Sequence, residues 1–591
     1  MTPAVTAPPL SLARPPATRT DGRALLALPV WLLATAGGFA LVKAVDPDPF
    51  VVRGAVFPLA VLGLLALVMI PLCLRFRNLS AVACGLFAGW VALALRAALN
   101  GTPYGFAGLY GDMGRIAAAA MRYSVTPWSS DAFVEDEPAE YPMLYPWLIG
   151  RAAALVGIPA WRLVGEAEIL TTSGAVVVAF LLWSRLVRQP LALGMVATAL
   201  VAFGDPRKAF VVVTTLVIVP WVILTFDASP RRRLPWWACG VIGGLMIMTY
   251  QGFLIYGGLG VAAFAGLAWW HSSDRWGYVR HVLLVVAAAL ATSAPYALPY
   301  VVGLVTGGGQ PVSDEFVAPD LVANPLPFLQ PTVLGALQLA GVAGLVAYRR
   351  SAWWATPLLC LTLGALCYRV LMMTRFVLDG HTGFYHYTTR LLAPLLAVAG
   401  MLTLARLARR RGWLAYGPAA LALAVVWAGT SYWRVTLPEG VAPWSTVWPA
   451  PNVAYTTRAH EELAHPGIPI KQIQGRVEEV MGRGARPRVL SADERLFAYL
   501  PWRGYTSVDR TSANTLIRWD DRHAELARLA AVTDPARFAA ASAATRFGGI
   551  DVFVLKAWHW RDIAFTPAQF DPDRFWVFDD LPGRTALLIR K

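Results

Sequence analysis

The sequence predicts a polytopic α-helical membrane protein with about 13 crossings, followed by a C-terminal extracytoplasmic α/β domain. Three observations predict this fold. Hydrophobic residues make up 57% of the 591 residues and charged residues only 15%, whereas soluble domains usually carry about 25% charged residues. Apolar runs of the length that a bilayer requires, about 20 residues, recur as far as residue 431. After residue 432, helical segments alternate with short strand-like runs.

The chain begins with 23 residues that are rich in Pro, Ala and Thr and contain no apolar core. They predict a disordered cytoplasmic tail and not a cleaved signal peptide. Residues 24–432 then predict a transmembrane domain. Its predicted crossings are 24–45, 51–74, 79–99, 165–184, 190–204, 208–226, 235–249, 252–270, 281–304, 331–348, 353–373, 389–407 and 413–431.

Basic residues cluster in every second loop, which is the pattern of cytoplasmic loops. This places the N-terminus in the cytoplasm and the C-terminal domain outside it, in a multi-pass protein of the cell membrane. The same clusters account for the net charge of +15, so we predict no nucleic-acid partner. The clusters are Arg75 and Arg77, Arg185 and Arg188, Arg231 to Arg233, Arg275 and Arg280, Arg349 and Arg350, and Arg406 and Arg409 to Arg411.

Residues 142–160 are apolar but short, and three prolines and Arg151 interrupt them. A full crossing here would move every later basic cluster to the opposite side of the membrane. We therefore predict a partial helix at the outer face, next to a catalytic outer loop over residues 101–141. Irregular backbone at membrane depth must be covered by protein or line a cavity, and a transferase needs such a cavity.

The predicted C-terminal domain, residues 433–591, combines helical stretches such as HAELARLAAV with strand-like runs such as RVLSAD, DVFVLKAW and TALLIRK. It contains none of the five cysteines, and the chain has no CxxC spacing. We therefore predict no bound metal as a fixed part of the protein, although the acidic run at 135–140 could hold a divalent cation.

The outer loop carries the residues best suited to chemistry. Asp112 and Arg115 lie one turn apart in a helical patch, so they share a face. A transferase that uses a polyprenyl-phosphate sugar needs a carboxylate to deprotonate the acceptor hydroxyl and cations to stabilise the departing phosphate. Asp112 is the candidate base, and the alternative reading is a solvated acidic loop. The candidate phosphate contacts are Arg115, Arg122, Arg207 and Lys208.

Further candidates for substrate binding lie in other outer segments. Tyr141 and Tyr145 mark the Tyr-Pro-rich entry to the partial helix, and Gln251 lies in a polar break within an apolar region. His381, His386 and Arg390 belong to a late outer loop that mixes aromatic and polar residues, as sugar sites do. The two histidines lack a third metal ligand, so we do not predict a metal site there.

Three segments resemble a known family. They are GDMGR…YPMLYPWLIGR (111–151), GHTGFYHYTTRLLAPLL (380–396), and VLSADERLFAYLPWRGYTSVDRTSANTLIRWDDR (489–522) followed by GGIDVFVLK (548–556). In this order they are similar to the galactan 5-O-arabinofuranosyltransferases of actinobacterial arabinogalactan synthesis, within the GT-C class of glycosyltransferases. The resemblance spans nearly the whole chain.

This resemblance implies a GT-C-like fold and an inverting glycosyltransferase. It implies decaprenylphosphoryl-arabinofuranose as the donor, the galactan chain as the acceptor, and addition of the first arabinofuranosyl residue. Asp112 takes the place of the family's early-loop carboxylate, with Asp131 and Glu140 as alternative bases. The competing functions are another polyprenyl-phosphate-sugar transferase, either mannosyl or later-step arabinosyl, and a lipid or glycan transporter, which often shows internal repeats.

Overall fold

The computed structural model describes residues 22–49, 51–76, 79–109, 111–317, 326–410, 417–436 and 468–591. The predicted disordered tail, apart from its last two residues, lies outside these ranges. A short 3₁₀ turn, Gly22–Leu26, leads into a series of helices. They are α1 Ala27–Val45, α2 Val52–Arg75, α3 Ser80–Ala98, α4 Gly111–Val125, α5 Leu144–Val156, α6 Val164–Trp183, α7 Gln189–Phe203, α8 Ala209–Phe226, α9 Trp236–Tyr250, α10 Gly252–His271, α11 Arg275–Gly307, α12 Val333–Tyr348, α13 Ala355–Asp379, α14 Thr388–Arg410 and α15 Gly417–Thr436.

Each of the 13 predicted crossings coincides with a helix, so the predicted polytopic helical architecture is confirmed. Within the described ranges, nine helical segments are long and apolar enough to cross a membrane. Helices α7, α9 and α12 coincide with three further predicted crossings but have only 15 or 16 residues. Helix α5 has 13 residues, about 20 Å at 1.5 Å per residue, so it is too short to span a hydrocarbon core of about 30 Å.

The chain divides into two compact units. The helical unit comprises residues 1–98, 168–292 and 317–440, and the acid-loop unit comprises residues 99–167, 293–316 and 441–591. The acid-loop unit therefore groups the C-terminal region with two segments that the linear division assigned to the transmembrane domain. The predicted boundary between residues 432 and 433 remains a prediction, because residues 437–467 lie outside the described ranges.

Small residues bring helices of the helical unit into backbone contact. A Cβ added at Gly364 of α13 would lie 2.1 Å from the backbone nitrogen of Gly260 in α10, and one added at Gly260 would lie 2.5 Å from the carbonyl oxygen of Cys360. Only glycine fits at both positions. Small residues at helix interfaces are typical of membrane bundles, because packing rather than burial from water holds the helices together.

The C-terminal part of the acid-loop unit is an α/β fold, as predicted. Its helices are α16 Ile470–Met481, α17 Arg495–Tyr499, α18 Trp519–Ala530 and α19 Pro535–Ala543. Its strands are β1 Arg488–Ser491, β2 Arg503–Gly504, β3 Val552–Lys556, β4 His559–Trp560, β5 Ile563–Ala564, β6 Phe575–Leu581 and β7 Thr585–Arg590. The predicted strand-like runs at 488–493, 551–558 and 585–591 thus correspond to β1, β3 and β7.

The sheet is mixed. Strand β1 pairs in parallel with β2 and β3, whereas β7 pairs antiparallel with β3 and β6. The short β4–β5 hairpin extends the sheet from the end of β3. Both β3 and β7 are buried over most of their length, which explains why their sequences are continuous apolar runs. Aromatic side chains fill the core, among them Trp502, Tyr505, Trp519 and Trp560, none more than 5% exposed.

Candidate active site

Helix α4 carries the candidate base at its N-terminal end. Gly111 begins the helix at φ +52°, a conformation that suits glycine, and the half-buried Asp112 follows in the first turn. Gly114 lies so close to the preceding loop that a Cβ would stand 2.3 Å from the carbonyl oxygen of Leu109. The first turn therefore packs closely against the preceding loop, and this packing fixes the backbone position of Asp112. A carboxylate in the first turn also benefits from the helix dipole.

Arg115 follows one turn later on the same face, as the sequence predicts. Its guanidinium donates a hydrogen bond to the carbonyl oxygen of Ser512. The same guanidinium lies 5.7 Å from the ring centroid of the half-buried Tyr141, within the range of a cation–π contact. The structure thus brings two sequence-predicted substrate contacts together with Ser512, which belongs to the segment 489–522 that carries part of the family resemblance.

The two alternative bases hold the loop in place. Asp131 is 9% exposed, and its carboxylate accepts hydrogen bonds from the backbone nitrogens of Phe133 (2.9 Å) and Val134 (3.1 Å) and from the amide of Asn514 (3.3 Å). This is a turn closed by an aspartate side chain, as is common in loops. Asp131 therefore stabilises the acidic loop by closing this turn and by binding Asn514.

Glu140 makes a similar connection further along the loop. Its carboxylate accepts hydrogen bonds from the Thr515 backbone nitrogen (2.6 Å), the Thr515 hydroxyl (2.9 Å) and the Tyr300 hydroxyl (3.0 Å). The Tyr296 hydroxyl donates to the Glu140 carbonyl oxygen. Burial raises the pKa of Glu140 above its ordinary value, although the Thr515 and Tyr300 hydrogen bonds lower it in part.

The raised pKa of Glu140 predicts how the stability of the folded protein changes with pH. Between the ordinary value of 4.5 and the higher folded value, the folded protein binds a proton that the unfolded chain has lost, so rising pH favours unfolding. In thermal unfolding of the purified chain, we expect Glu140→Gln to remove this contribution. The melting temperature of the wild type should therefore fall relative to that of the variant as pH rises from about 4.5.

The control for that comparison is Asp136→Asn, which removes a loop carboxylate that is 60% exposed. This control should show no such divergence from the wild type. If the melting temperatures of the wild type and Glu140→Gln changed with pH in parallel, the raised pKa of Glu140 would be contradicted.

Among the described residues of the acid-loop unit, Arg122 is the most deeply buried cation, with 1% of its surface exposed. Its guanidinium donates to the carbonyl oxygens of Phe133 (3.4 Å), Pro501 (3.3 Å) and Trp502, and lies 3.3 Å from the Glu135 carboxylate. Burial lowers its pKa to about 10, although the nearby carboxylate of Glu135 partly offsets the shift. The sequence predicted a phosphate contact for Arg122, whereas these partners give it a structural role.

The acidic run contacts arginines of the C-terminal region. Glu135 pairs with Arg486 at 2.5 Å, and Asp136 contacts Arg488. Glu137 lies 3.3 Å from Arg522, which is 6% exposed. Within the part of the chain that the structure describes, no three His, Cys, Asp or Glu side chains converge to hold a metal ion.

A second group of candidate residues lies in the helical unit, where the GDPRK turn joins α7 to α8. Asp205 accepts hydrogen bonds from Arg207 at 2.9 and 3.2 Å, and Arg390 lies 3.9 Å away. Arg390 and Lys208 both lie over the ring of Tyr387, at 4.9 and 5.5 Å from its centroid. We call Asp205, Arg207, Lys208, Arg390 and Tyr387 the cation cluster. It has three cations and one carboxylate.

The electrostatics of the cation cluster suit an anion. Burial alone would raise the pKa of Asp205, but the hydrogen bond from Arg207 and the charges of Arg207, Arg390 and Lys208 outweigh it and hold this pKa below its ordinary value. Arg207 and Arg390 remain 46% and 30% exposed. Lys208 is the N-cap residue of α8, and a helix N-terminus adds partial positive charge. A phosphate group is the ligand that this chemistry favours.

The remaining predicted residues are placed as follows. His386 is 5% exposed, and its ring centroid lies 4.3 Å from that of Tyr387 in the cation cluster. His381 follows α13, where its backbone nitrogen donates to Asp379 at 2.9 Å. The carbonyl oxygen of Gln251 accepts from the first turn of α10, 2.9 Å from the Leu254 nitrogen. In the acid-loop unit, Tyr145 on α5 is 5% exposed.

Two members of the cation cluster, Asp205 and Tyr387, are not among the residues that the sequence predicts. Asp205 lies in the same GDPRK turn, two residues before Arg207. The sequence predicts only Arg207 and Lys208 of this turn as binding residues. Tyr387 precedes Arg390 by three residues, which is one helical turn, so this spacing could have predicted the stacked pair.

Comparison with known proteins gives two family matches. Residues 50–417 match the family described as arabinofuranosyltransferase N terminal, and residues 452–568 match arabinofuranosyltransferase A C terminal. The first match alone covers more than half of the chain. The two matches follow each other along the chain in the order that their names state.

Several curated relatives bear the name galactan 5-O-arabinofuranosyltransferase. The relative in Mycobacterium tuberculosis is 28% identical over 411 residues, which is 66% of this chain and 62% of the relative. The Mycolicibacterium smegmatis relative is 27% identical, covering 66% and 64%, and the Corynebacterium glutamicum relative is 22% identical, covering 76% and 69%. The chain therefore spans slightly less than two thirds of the length of the two mycobacterial relatives.

Among solved structures, the chain is similar to ArnT from Cupriavidus metallidurans in the apo state. The TM-score is 0.49 at 14% sequence identity, and the match covers 85% of this chain and 97% of that one.

Proposed function

The chain belongs to the arabinofuranosyltransferase A family, and on this premise we propose that it is a membrane glycosyltransferase that adds arabinofuranose to galactan. The proposed donor is decaprenylphosphoryl-arabinofuranose, and the proposed acceptor is the galactan of cell-wall arabinogalactan, in the priming step. The relatives named galactan 5-O-arabinofuranosyltransferase support this acceptor. We further propose that the protein is a multi-pass protein of the cell membrane, with a cytoplasmic N-terminus and an extracytoplasmic C-terminal domain.

In the proposed mechanism, Asp112 accepts the proton of the acceptor hydroxyl. The hydroxyl oxygen forms a bond to the anomeric carbon of arabinofuranose, and the bond from that carbon to the phosphate oxygen breaks. Attack from the face opposite the phosphate inverts the anomeric configuration. The leaving group is the lipid phosphate, whose developing negative charge cations stabilise. General base catalysis of this kind typically contributes about 10²- to 10⁴-fold in rate.

The observation that carries the assignment of the base is the position of Asp112 in the first turn of α4, whereas the two alternative bases hold the acidic loop. Asp131 and Glu140 each accept three hydrogen bonds that close the acidic loop. Asp112 lies half-buried in the first turn of a helix, on a face that it shares with Arg115. This arrangement favours Asp112 as the group that meets a substrate hydroxyl.

The cation cluster is the proposed binding site for the donor phosphate. Arg207 and Arg390 are partly exposed guanidinium groups, which bind phosphate in a bidentate manner. Lys208 adds a point charge at the start of α8. The ring of Tyr387 carries Arg390 and Lys208 on its face, and His386 packs beside it, so the cations are oriented before the donor binds.

The decisive assay measures transfer of labelled arabinose from decaprenylphosphoryl-arabinofuranose to a short galactan oligosaccharide by the purified chain. We expect transfer from this donor and none from polyprenyl phosphomannose. Transfer from the mannose donor alone would replace the proposed substrate with a mannosyl one. Absence of transfer from both, by a chain shown to be folded, would overturn the enzymatic proposal and favour a transporter.

The cation cluster yields a separate prediction for Arg390. Replacement of Arg390 by Gln removes a charged hydrogen-bond donor to the phosphate, a contact worth about 1.5–3 kcal/mol. We expect the KM for the donor to rise by about 10- to 100-fold, with the KM for the galactan acceptor unchanged. Initial rates over a grid of donor and acceptor concentrations separate the two constants.

The control is Arg349→Gln, which removes an exposed arginine that donates to the Val346 carbonyl oxygen at the end of its own helix. It should leave both constants at the wild-type values. A rise in the acceptor KM alone in Arg390→Gln would refute the phosphate assignment.

A further inference from the structure

A cleft lies in the helical unit where α8 and α10 end and α13 begins. We call it the α8–α10 cleft. It encloses about 520 Å³ of space, part of which is open to the surroundings. Lys208 of the cation cluster lies at the opposite end of α8, which has 18 residues and is therefore about 27 Å long. The cleft is thus separate from the cation cluster, and under the proposed topology it lies on the cytoplasmic side.

The α8–α10 cleft has an apolar floor and a polar rim. Its floor consists of buried side chains from all three helices, and its rim carries half-buried groups that include a guanidinium and a hydroxyl. A phospholipid shows the same division, because apolar acyl chains follow directly after a charged phosphate. The floor includes Ile223, Phe264 and Pro357, and the rim includes Asp227, Arg232 and Thr356.

Arg232 is held in position at the rim. Its backbone nitrogen donates to the Ser229 carbonyl oxygen at 3.1 Å, and its guanidinium lies 3.6 Å from the Asp227 carboxylate. Asp227 also accepts a hydrogen bond from the Ser229 backbone nitrogen at 2.7 Å. The side chain of Arg232 is 22% exposed. A guanidinium has five N–H donors, so this ion pair leaves donors that can bind a phosphate.

The neighbouring Arg233 gives a second indication of an anion. Its guanidinium lies 5.2 Å from the ring centroid of Tyr278, and the charge of Asp227 also acts on it. Among the described residues, no group accepts a hydrogen bond from its buried Nε or from one buried Nη. Buried donors are nearly always paired in folded proteins. A phosphate oxygen is an acceptor of the matching charge.

The loops that border the cleft carry a large excess of positive charge. Residues 227–235, 271–281 and 349–357 contain seven arginines, two histidines and two aspartates. The carboxyl-terminal ends of α8 and α10 add only about half a negative charge each. The positive-inside rule explains the number of arginines, but it does not explain a cleft with a fixed guanidinium at its rim. The charged residues are Arg231 to Arg233, Arg275, Arg280, Arg349 and Arg350, with Asp227 and Asp274.

Tryptophans indicate that the cleft lies at the level of the lipid headgroups. Seven tryptophans of the described ranges are more than a third exposed, and five of them lie at the start of α9, the end of α10 or the start of α11. Exposed tryptophans concentrate where acyl chains meet headgroups. The guanidinium of Arg275 lies 5.7 and 5.1 Å from the ring centroids of Trp269 and Trp270. The five are Trp236, Trp237, Trp269, Trp270 and Trp276.

We propose that the α8–α10 cleft binds an anionic phospholipid of the cytoplasmic leaflet, with Arg232 and Arg233 contacting its phosphate and the apolar floor receiving the start of an acyl chain. Inorganic phosphate would pair with the arginines but would leave the floor uncovered, so the apolar lining favours a lipid. The inference rests on the proposed topology and is independent of the proposed transfer reaction.

The test is native mass spectrometry of the purified full-length chain in detergent. The chain is titrated with phosphatidylglycerol, and separately with phosphatidylcholine that has the same acyl chains but no net charge. We expect one phosphatidylglycerol to bind at least about 10-fold more tightly than phosphatidylcholine. Inorganic phosphate should not displace it when chloride keeps the ionic strength constant. Equal affinity for the two lipids, or displacement by inorganic phosphate, would overturn the proposal.

Two variants test the cleft itself. Arg232→Gln should bind phosphatidylglycerol about 10- to 100-fold more weakly, as the loss of a charged hydrogen bond predicts. Ala228→Phe places a large side chain at a half-buried position of the cleft and keeps every charge, so it should weaken binding even if Arg232→Gln is less stable. Unchanged binding in both variants would refute the site.

The matched control is Arg188→Gln, which removes an exposed arginine from the loop between α6 and α7. It should bind phosphatidylglycerol like the wild type. If Arg188→Gln weakened binding as much as Arg232→Gln, the lipid would be attracted by the basic loops in general, and the assignment to the α8–α10 cleft would be wrong.

Discussion

Replacement of Asp112 by Asn is expected to lower kcat by about 10²- to 10⁴-fold, which is the contribution of a general base. Asn has the same size and can still lie at the start of α4, but it cannot accept the proton of an acceptor hydroxyl. The binding of both substrates should change little, so the KM values should remain near those of the wild type. The measurement is transfer of labelled arabinose at saturating donor and acceptor.

The comparison with Asp131→Asn and Glu140→Gln makes this test specific. Both residues hold the acidic loop through several hydrogen bonds, so their loss should lower the melting temperature together with the activity. Asp112→Asn should lose activity at an unchanged melting temperature. Wild-type turnover by Asp112→Asn would move the base elsewhere, and a melting temperature reduced as much as in the other two variants would show a structural role.

The largest effect on stability is expected for Arg122→Met. Arg122 is 1% exposed and pairs with the carboxylate of Glu135. It also donates hydrogen bonds to the carbonyl oxygens of Phe133, Pro501 and Trp502. Removing one member of a buried charged network typically costs about 3–5 kcal/mol, because its partners remain buried without compensation. The free energy of unfolding of the purified chain in detergent should fall by this amount, as measured by tryptophan fluorescence in denaturant.

Arg151→Met is the matched control for that variant. Arg151 lies on α5, is partly exposed, and donates to the Tyr123 carbonyl oxygen at 3.0 Å. Losing this contact should cost only about 1 kcal/mol. If the two variants were equally stable, the buried network around Arg122 would not hold the acidic loop. Limited proteolysis offers a second readout, since cleavage within residues 126–141 should accelerate only in Arg122→Met.

Much of the fold was predictable because it depends on local patterns. The apolar runs predict the helices, since a bilayer requires about 20 apolar residues per crossing, and alternation with short apolar runs predicts β1, β3 and β7. The same local reasoning placed Asp112 and Arg115 on one helical face. It also predicts Arg207 and Lys208 as binding residues, because cations in a predicted outer loop require an explanation, and Arg390, because its loop mixes aromatic and polar residues.

The contacts of the acidic loop were not predictable from local patterns. A run of acidic residues predicts a solvated loop unless its ion-pair partners are known. Here those partners lie far along the chain. Glu135 meets Arg486, and Glu137 meets Arg522. For the same reason the sequence predicts a phosphate contact for Arg122, because its burial depends on segments that come 380 residues later.

These distant pairings have a consequence for biosynthesis. The ribosome completes Glu135 and Glu140 long before their partners Arg486 and Thr515, which lie 351 and 375 residues further along the chain. At a typical rate of about 5–20 residues per second, the delay is on the order of 20–80 s. During this time the nascent chain contains Asp112 and the acidic loop, but the contacts of Glu135 with Arg486 and of Glu140 with Thr515 cannot yet form. Assembly of the acid-loop unit would therefore be completed only after residue 515 has been translated.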